Sequence, residues 1–201
     1  MRGNTYSKKQ SSEQISRKLS EFIKEIQYKN RNPVDNNVLK MLQEMETNPE
    51  LLFDSQQYLY RSRIVHSKDK LNGEYPFFGF GKDGSFVAPS ECTKDMRANY
   101  RYIPYLYCAT RPYLSVVEVR PRLGARVSVA RIRVNERLRL LDFSLQNYPK
   151  GMKSVKINLF HALSQLYSKP VTEDDDTLDY IPTQYIACLL YTSPSPRDRQ
   201  K

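Results

Sequence analysis

Tyr58-Leu59-Tyr60-Arg61-Ser62-Arg63-Ile64-Val65 is the stretch where the chain changes from helical to extended texture. Its tyrosines, Ile64 and Val65 favour a pleated backbone, and a period of two puts Arg61 and Arg63 on one face of the strand. On its N-terminal side, Ile15, Leu19, Phe22, Ile23 and Ile26 recur at i, i+4, i+7, i+8 and i+11. That spacing predicts an amphipathic helix over residues 11–28, with Ser11 and Gln14 as a capping box at its start. After Asn32-Pro33 a second helix is expected from Asn36 to Met45, with Val38, Leu39, Leu42 and Met45 on one side and a stop before Asn48-Pro49. Short helices are marginal alone, so this pair, residues 1–55, is expected to pack as a helical extension on the domain C-terminal to it.

On the C-terminal side comes a long connection from Gly73 to Asn99, glycine- and aromatic-rich over Phe77-Phe78-Gly79-Phe80-Gly81-Lys82-Asp83-Gly84-Ser85-Phe86. Irregular segments of this length are often binding loops. Its Gly-x-Gly is a weak phosphate signal, because the strand, spacing and helix of a dinucleotide fingerprint are missing. Ile103–Ala109 reads as a buried strand, Val127–Val134 as an alternating one and Leu138–Phe143 as another. Pro112–Val119 is ambiguous: Val116, Val117 and Val119 favour a strand, while Arg111-Pro112 can open a helix. Ser154–Tyr167 and Asp176–Ala187 read as helices.

With 39% hydrophobic, 11% aromatic and 27% charged residues in 201, the composition is that of a soluble globular protein with one well-buried core. No apolar run is long enough for a membrane helix, and the polar, basic start from Met1 to Gln10 does not read as a signal peptide, so a cytoplasmic location is expected. Cys92, Cys108 and Cys188 show no CxxC spacing, and only His66 and His161 are available to join them, which argues against zinc and against a disulfide framework. The net charge of +10 attracts phosphates, whether of a nucleic acid or of a dinucleotide.

Cys188-Leu189-Leu190-Tyr191-Thr192-Ser193-Pro194-Ser195-Pro196-Arg197-Asp198 reads as the in-frame translation of a transposase-type sequencing adapter, which places the native end at about Ala187. Residues 188–201 are then an adapter-derived tail. Without them the chain loses Arg197, Arg199 and Lys201 against Asp198, and +8 remains.

Three stretches carry a family resemblance. Tyr60-Arg61-Ser62-Arg63, then Arg97-Ala98-Asn99 with Ile103-Pro104-Tyr105-Leu106-Tyr107-Cys108-Ala109, then Ser115-Val116-Val117-Glu118-Val119-Arg120-Pro121 are similar in order and spacing to the signatures of RES domains. The resemblance covers residues 58–187. It implies an α+β fold with a mixed β-sheet and an ADP-ribosyltransferase-like core over 56–187, and a helix over Pro112–Val119. It also implies cleavage of the nicotinamide N-glycosidic bond of NAD by phosphorolysis or hydrolysis, with NAD as substrate, inorganic phosphate as an acceptor and no metal. Several members of the family are toxins of toxin–antitoxin pairs, which makes an antitoxin protein a candidate partner.

The resemblance assigns Arg61 and Arg97 to the dinucleotide phosphates, a task suited to the planar guanidinium fork. It puts Tyr107 beside the nicotinamide and Glu118 near the nicotinamide ribose, where a carboxylate stabilises the positive charge that develops as the C–N bond breaks. Each residue also has an ordinary use: the arginines as surface charges, Tyr107 as a core aromatic, Glu118 as a helix residue facing solvent. Arg63 and Arg120 read as salt-bridge formers, His66 and His161 as surface or core histidines. Met96 stands where the family has glycine, Tyr100 where it has proline, and its signature serine belongs to a segment beyond Ala187. A protein side chain as acceptor would make the same pocket an ADP-ribosyltransferase. A basic nucleic-acid-binding module is the reading from another class, and the spread of Lys and Arg along the whole chain counts against it.

Overall fold

Hydrophobic periodicity accounts for the helices at the two ends of the chain. The computed structural model describes residues 3–33, 36–43, 52–73, 78–143, 154–169 and 176–192. Its elements run α1 (Gly3–Tyr28), α2 (Asn37–Gln43), β1 (Leu52–Phe53), β2 (Tyr58–Ile64), α3 (Lys82–Ser85), α4 (Pro112–Glu118), β3 (Val127–Arg133), β4 (Leu138–Arg139), α5 (Ser154–Ser168) and α6 (Ile181–Thr192). Single 3-10 turns occur at Ser90–Cys92 and Thr177–Asp179. The fold is α+β, and none of the described helices is long and apolar enough to cross a membrane.

The chain divides into two compact units, one of residues 1–51, 95–100 and 139–201, the other of 52–94 and 101–138. In the first, Ile15, Leu19, Phe22 and Ile26 form one buried stripe on α1, and Val38, Leu39 and Leu42 of α2, Leu159 and Leu163 of α5 and Ile186 of α6 complete the core. The Phe22 ring meets Tyr185 edge-on at 5.9 Å. Burial of a side chain of that size contributes about 2–3 kcal/mol. Asn36 caps α2, its Oδ1 accepting from the Val38 N–H at 2.8 Å, and its Nδ2 donates to Glu25 on α1 at 3.1 Å.

α1 is described from Gly3, so Ser11 and Gln14 lie within the helix and not at its start. No proline interrupts residues 4–10, and the helix runs through them. α2 is described as far as Gln43, and its expected end at Met45 lies outside the described residues.

In the second unit β2 and β3 form an antiparallel ribbon, with Arg61 opposite Ala130 and Arg63 opposite Ser128. Gln56, at φ 79°, sits in a bulge where Gln56 N–H donates to the Val134 carbonyl and Val134 N–H to Gln57, both at 2.9 Å. In place of the expected mixed sheet, the described residues form two two-stranded sheets, β1 with β4 and β2 with β3. Two expected strands account for the difference. Ile103–Ala109 is irregular and half-exposed, and Ile103 is 49% exposed. Pro104 has no N–H to give a ladder, and only Ala109 exchanges backbone bonds, both 2.8 Å, with Tyr60. Leu138–Phe143 shortens to the two residues of β4.

The ambiguous Pro112 stretch is helical. Pro112 takes the first helical position, where its missing N–H costs nothing. Arg120, at φ 45°, turns the chain out of α4 with its N–H on the Val117 carbonyl at 3.0 Å, just before Pro121.

Candidate functional site

Alternation along β2 separates its two faces. Ser62 points to α4, where its Oγ lies 2.7 Å from Ser115 Oγ, and both hydroxyls are buried. Ser115 Oγ donates to the Pro112 carbonyl at 2.7 Å, so the proton between the two serines comes from Ser62. Arg61 and Arg63 point to the other face, as their period requires. The Arg61 guanidinium donates to the Phe86 carbonyl, and Arg63 donates to the Gly84 carbonyl at 3.2 Å. Arg63 also stacks on the Phe80 ring at 4.0 Å and reaches Asp69 at 3.9 Å.

The 79–86 loop is brought onto that face by Gly79, whose backbone pairs with Asn72 and which lies so close to β3 that a Cβ would stand 2.9 Å from Ser128 Oγ. The Phe80 N–H donates to the same hydroxyl at 3.1 Å. Loop and strand together line a groove of about 500 Å³.

Partial burial lowers the pKa of Arg61; the neighbouring Cys108 works in the opposite direction and Arg63 adds to the lowering. An arginine so placed still carries its charge at neutral pH. Burial raises the Cys108 thiol above its usual range, against the pull of Arg61, so the thiol is protonated near neutrality.

Of the four residues singled out from sequence, Arg61, Tyr107 and Glu118 belong to the second unit and Arg97 to the first. Tyr107 is 37% exposed on the irregular stretch that leads to the Ala109–Tyr60 bridge. Glu118 is exposed at the end of α4. Since α4 packs on the Ser62 face and Arg61 leaves from the opposite one, Arg61 and Glu118 are not gathered on one side of the ribbon.

Arg97 is engaged elsewhere. Its Nη1 donates to the Leu166 carbonyl at 3.1 Å and its Nη2 to the Lys169 carbonyl at 2.6 Å, at the end of α5. The segment that carries it is tied down by the buried Gln184, whose Nε2 donates to the carbonyls of Asn99 at 2.9 Å and Met96 at 3.0 Å.

Sequence reasoning missed Ser62, Ser115 and Gln184 as organising residues. For Ser62 a signal existed: period two sets it opposite the arginines, on the face that has to be covered. Among the described residues no three His, Cys, Asp or Glu side chains come together as a metal site. Comparison with protein-family models, with curated proteins and with solved structures finds no match.

Proposed function

We propose that the chain is an NAD-consuming enzyme of RES type, with an ADP-ribosyltransferase-like core, which cleaves the nicotinamide N-glycosidic bond and passes ADP-ribose to phosphate or water in the cytoplasm. The observation that supports this reading is that the Ile103–Ala109 part of the second resembling stretch and the Ser115 stretch both meet the first on β2. Tyr60 exchanges both backbone bonds with Ala109, and the adjacent Ser62 is joined to Ser115 through buried hydroxyls. Stretches tens of residues apart in sequence are thereby held around one strand, with Arg61 on one face of it and α4 on the other.

In this reading Arg61 is the phosphate ligand, exchanging its bond to the Phe86 carbonyl for a charge-assisted one. Glu118 supplies the negative charge for the oxocarbenium-like transition state, and Tyr107 orients the nicotinamide. Arg97, the second phosphate ligand that the resemblance implies, belongs to the other unit and is held by the Leu166 and Lys169 carbonyls, so it is given no part in this proposal. Nicotinamide leaves neutral, so no general acid is needed. A cognate antitoxin protein is the partner the same reading calls for.

The test is nicotinamide release from NAD by the full chain, with and without inorganic phosphate. Glu118→Gln is expected to lower the rate by about a hundredfold, and Arg61→Ala to raise KM. Mass spectrometry of lysate proteins for added ADP-ribose separates a protein acceptor from phosphate or water. Folded chain that releases no nicotinamide under any of these conditions refutes the proposal.

A further inference from the structure

The outer edge of β3 offers a row of backbone groups to a partner. Val65 N–H donates to the Arg126 carbonyl and Val134 N–H to the Gln57 carbonyl, both at 2.9 Å. These bonds share the register of the ribbon and fix its parity. In an antiparallel ladder alternate residues turn both backbone groups toward the neighbour, so the even-numbered residues of β3 bond to β2. Val127, Val129, Arg131 and Arg133 turn theirs outward, and β3 has no second partner strand among the described residues.

The 500 Å³ groove lies along this edge. Five consecutive residues of β3, Ser128–Ile132, line it, which requires the groove to reach the strand's edge as well as one face. Its other wall is the 79–86 loop, with the rings of Phe80 and Phe86 and the exposed Lys82. The charged residues that line it are Lys82 and Arg131, and no carboxylate lines it. Arg131 is held over the Tyr58 ring at 4.5 Å, which fixes its charge beside the edge.

We propose that this groove binds an extended acidic peptide as a third strand on β3. Side chains of such a strand alternate. Those on the loop side meet Phe80 and Phe86, and those on the other side meet Val129 and Arg131, so the fitting segment alternates apolar and acidic residues. A second copy of the chain would lay its own Arg131 and Arg133 along the same basic edge. A nucleic acid would answer the charges and leave the outward N–H and C=O groups unpaired. The inference is independent of the NAD reading.

Fluorescence anisotropy with a labelled peptide alternating valine and glutamate, beside its valine–lysine counterpart, tests it. The glutamate peptide is expected to bind at least about tenfold more tightly. Arg131→Pro removes an outward N–H and none that bonds to β2, and should weaken binding about fivefold while circular dichroism stays unchanged. The double variant Lys82→Glu, Arg131→Glu keeps the backbone and should favour the lysine peptide. Equal binding of the two peptides by the wild-type chain overturns the proposal. So does unchanged binding by folded Arg131→Pro, or a preference the charge reversal does not invert. Tighter binding of single-stranded DNA than of the glutamate peptide overturns it in favour of nucleic acid. Dimers in sedimentation that Arg131→Pro dissolves overturn it in favour of a second copy.

Discussion

Arg97 shows how one guanidinium changes meaning between sequence and structure. The last carbonyls of a helix have no partner within it, and Arg97 answers that of Leu166 in the last turn of α5 together with that of Lys169 just past it, with the Tyr180 ring 5.9 Å away. Replacing it with alanine leaves both carbonyls to water and removes charge-assisted bonds. We expect Arg97→Ala to lower the unfolding free energy by about 1–3 kcal/mol in a urea titration. Arg97→Lys, which keeps the charge and loses the fork, should recover part of that. A variant as stable as the parent would show that the two bonds contribute nothing. The sequence put a cation at this position and could not show its acceptors, because Lys169 is 72 residues away and no local pattern encodes so distant a contact. Arg61 and Arg63 were legible as a pair on one face because their relation is local, set by the period of a strand.

Elements follow the same division between local and distant causes. α1, α5 and β3 were readable from periodicity, since each buries one stripe or one face. α4 was not, and its burial pattern gives the reason: it buries Ser115 and exposes Tyr113, Leu114 and Val117. A helix that hides a hydroxyl and shows its apolar residues carries no amphipathic signal, and beside the resemblance only Pro112 at its start spoke for it. Ile103–Ala109 fails in the opposite sense: its apolar run reads as a buried strand and finds a single bridge. α6 runs past Ala187 to Thr192, and Leu189 and Leu190 pack against the core of the first unit, whatever the origin of the residues that carry them. Both are partly buried, so changing both to alanine should cost about 2–3 kcal/mol in thermal or urea unfolding. Cys188→Ala, at an exposed position, should cost almost nothing and serves as the control. Equal stabilities of the leucine double variant and that control would mean that the last turn of α6 is not part of the core.

For the molecule as a whole, the distribution of buried apolar surface sets which parts open first. The first unit owns a continuous core built on Phe22, Ile26, Leu42, Leu159, Leu163 and Ile186, all almost fully buried. Among the described residues of the second unit, Val134 is the buried hydrophobic one, and Tyr102, Ile103, Tyr113, Val117 and Val129 are all exposed beyond 40%. That unit is held by the β2–β3 ladder and by buried hydroxyls, and it also carries most of the chain's excess positive charge, whose self-repulsion opposes compaction. Local opening free energy follows buried contacts, so amide hydrogen exchange should find the centres of α1 and α5 the slowest. Amides of β2 and β3 should exchange at least about thirtyfold faster, corresponding to about 2 kcal/mol. If the ribbon is as protected as α1, hydroxyl pairs and a two-stranded ladder hold more strongly than their surface burial allows. A ligand that binds only the closed form raises protection where it binds, so NAD should slow exchange in β2 and its bridge to Ala109 if Arg61 holds its phosphates, and the valine–glutamate peptide should slow it at the outward amides of β3. Different amides respond to the two ligands, and one experiment therefore separates the nucleotide site from the strand edge.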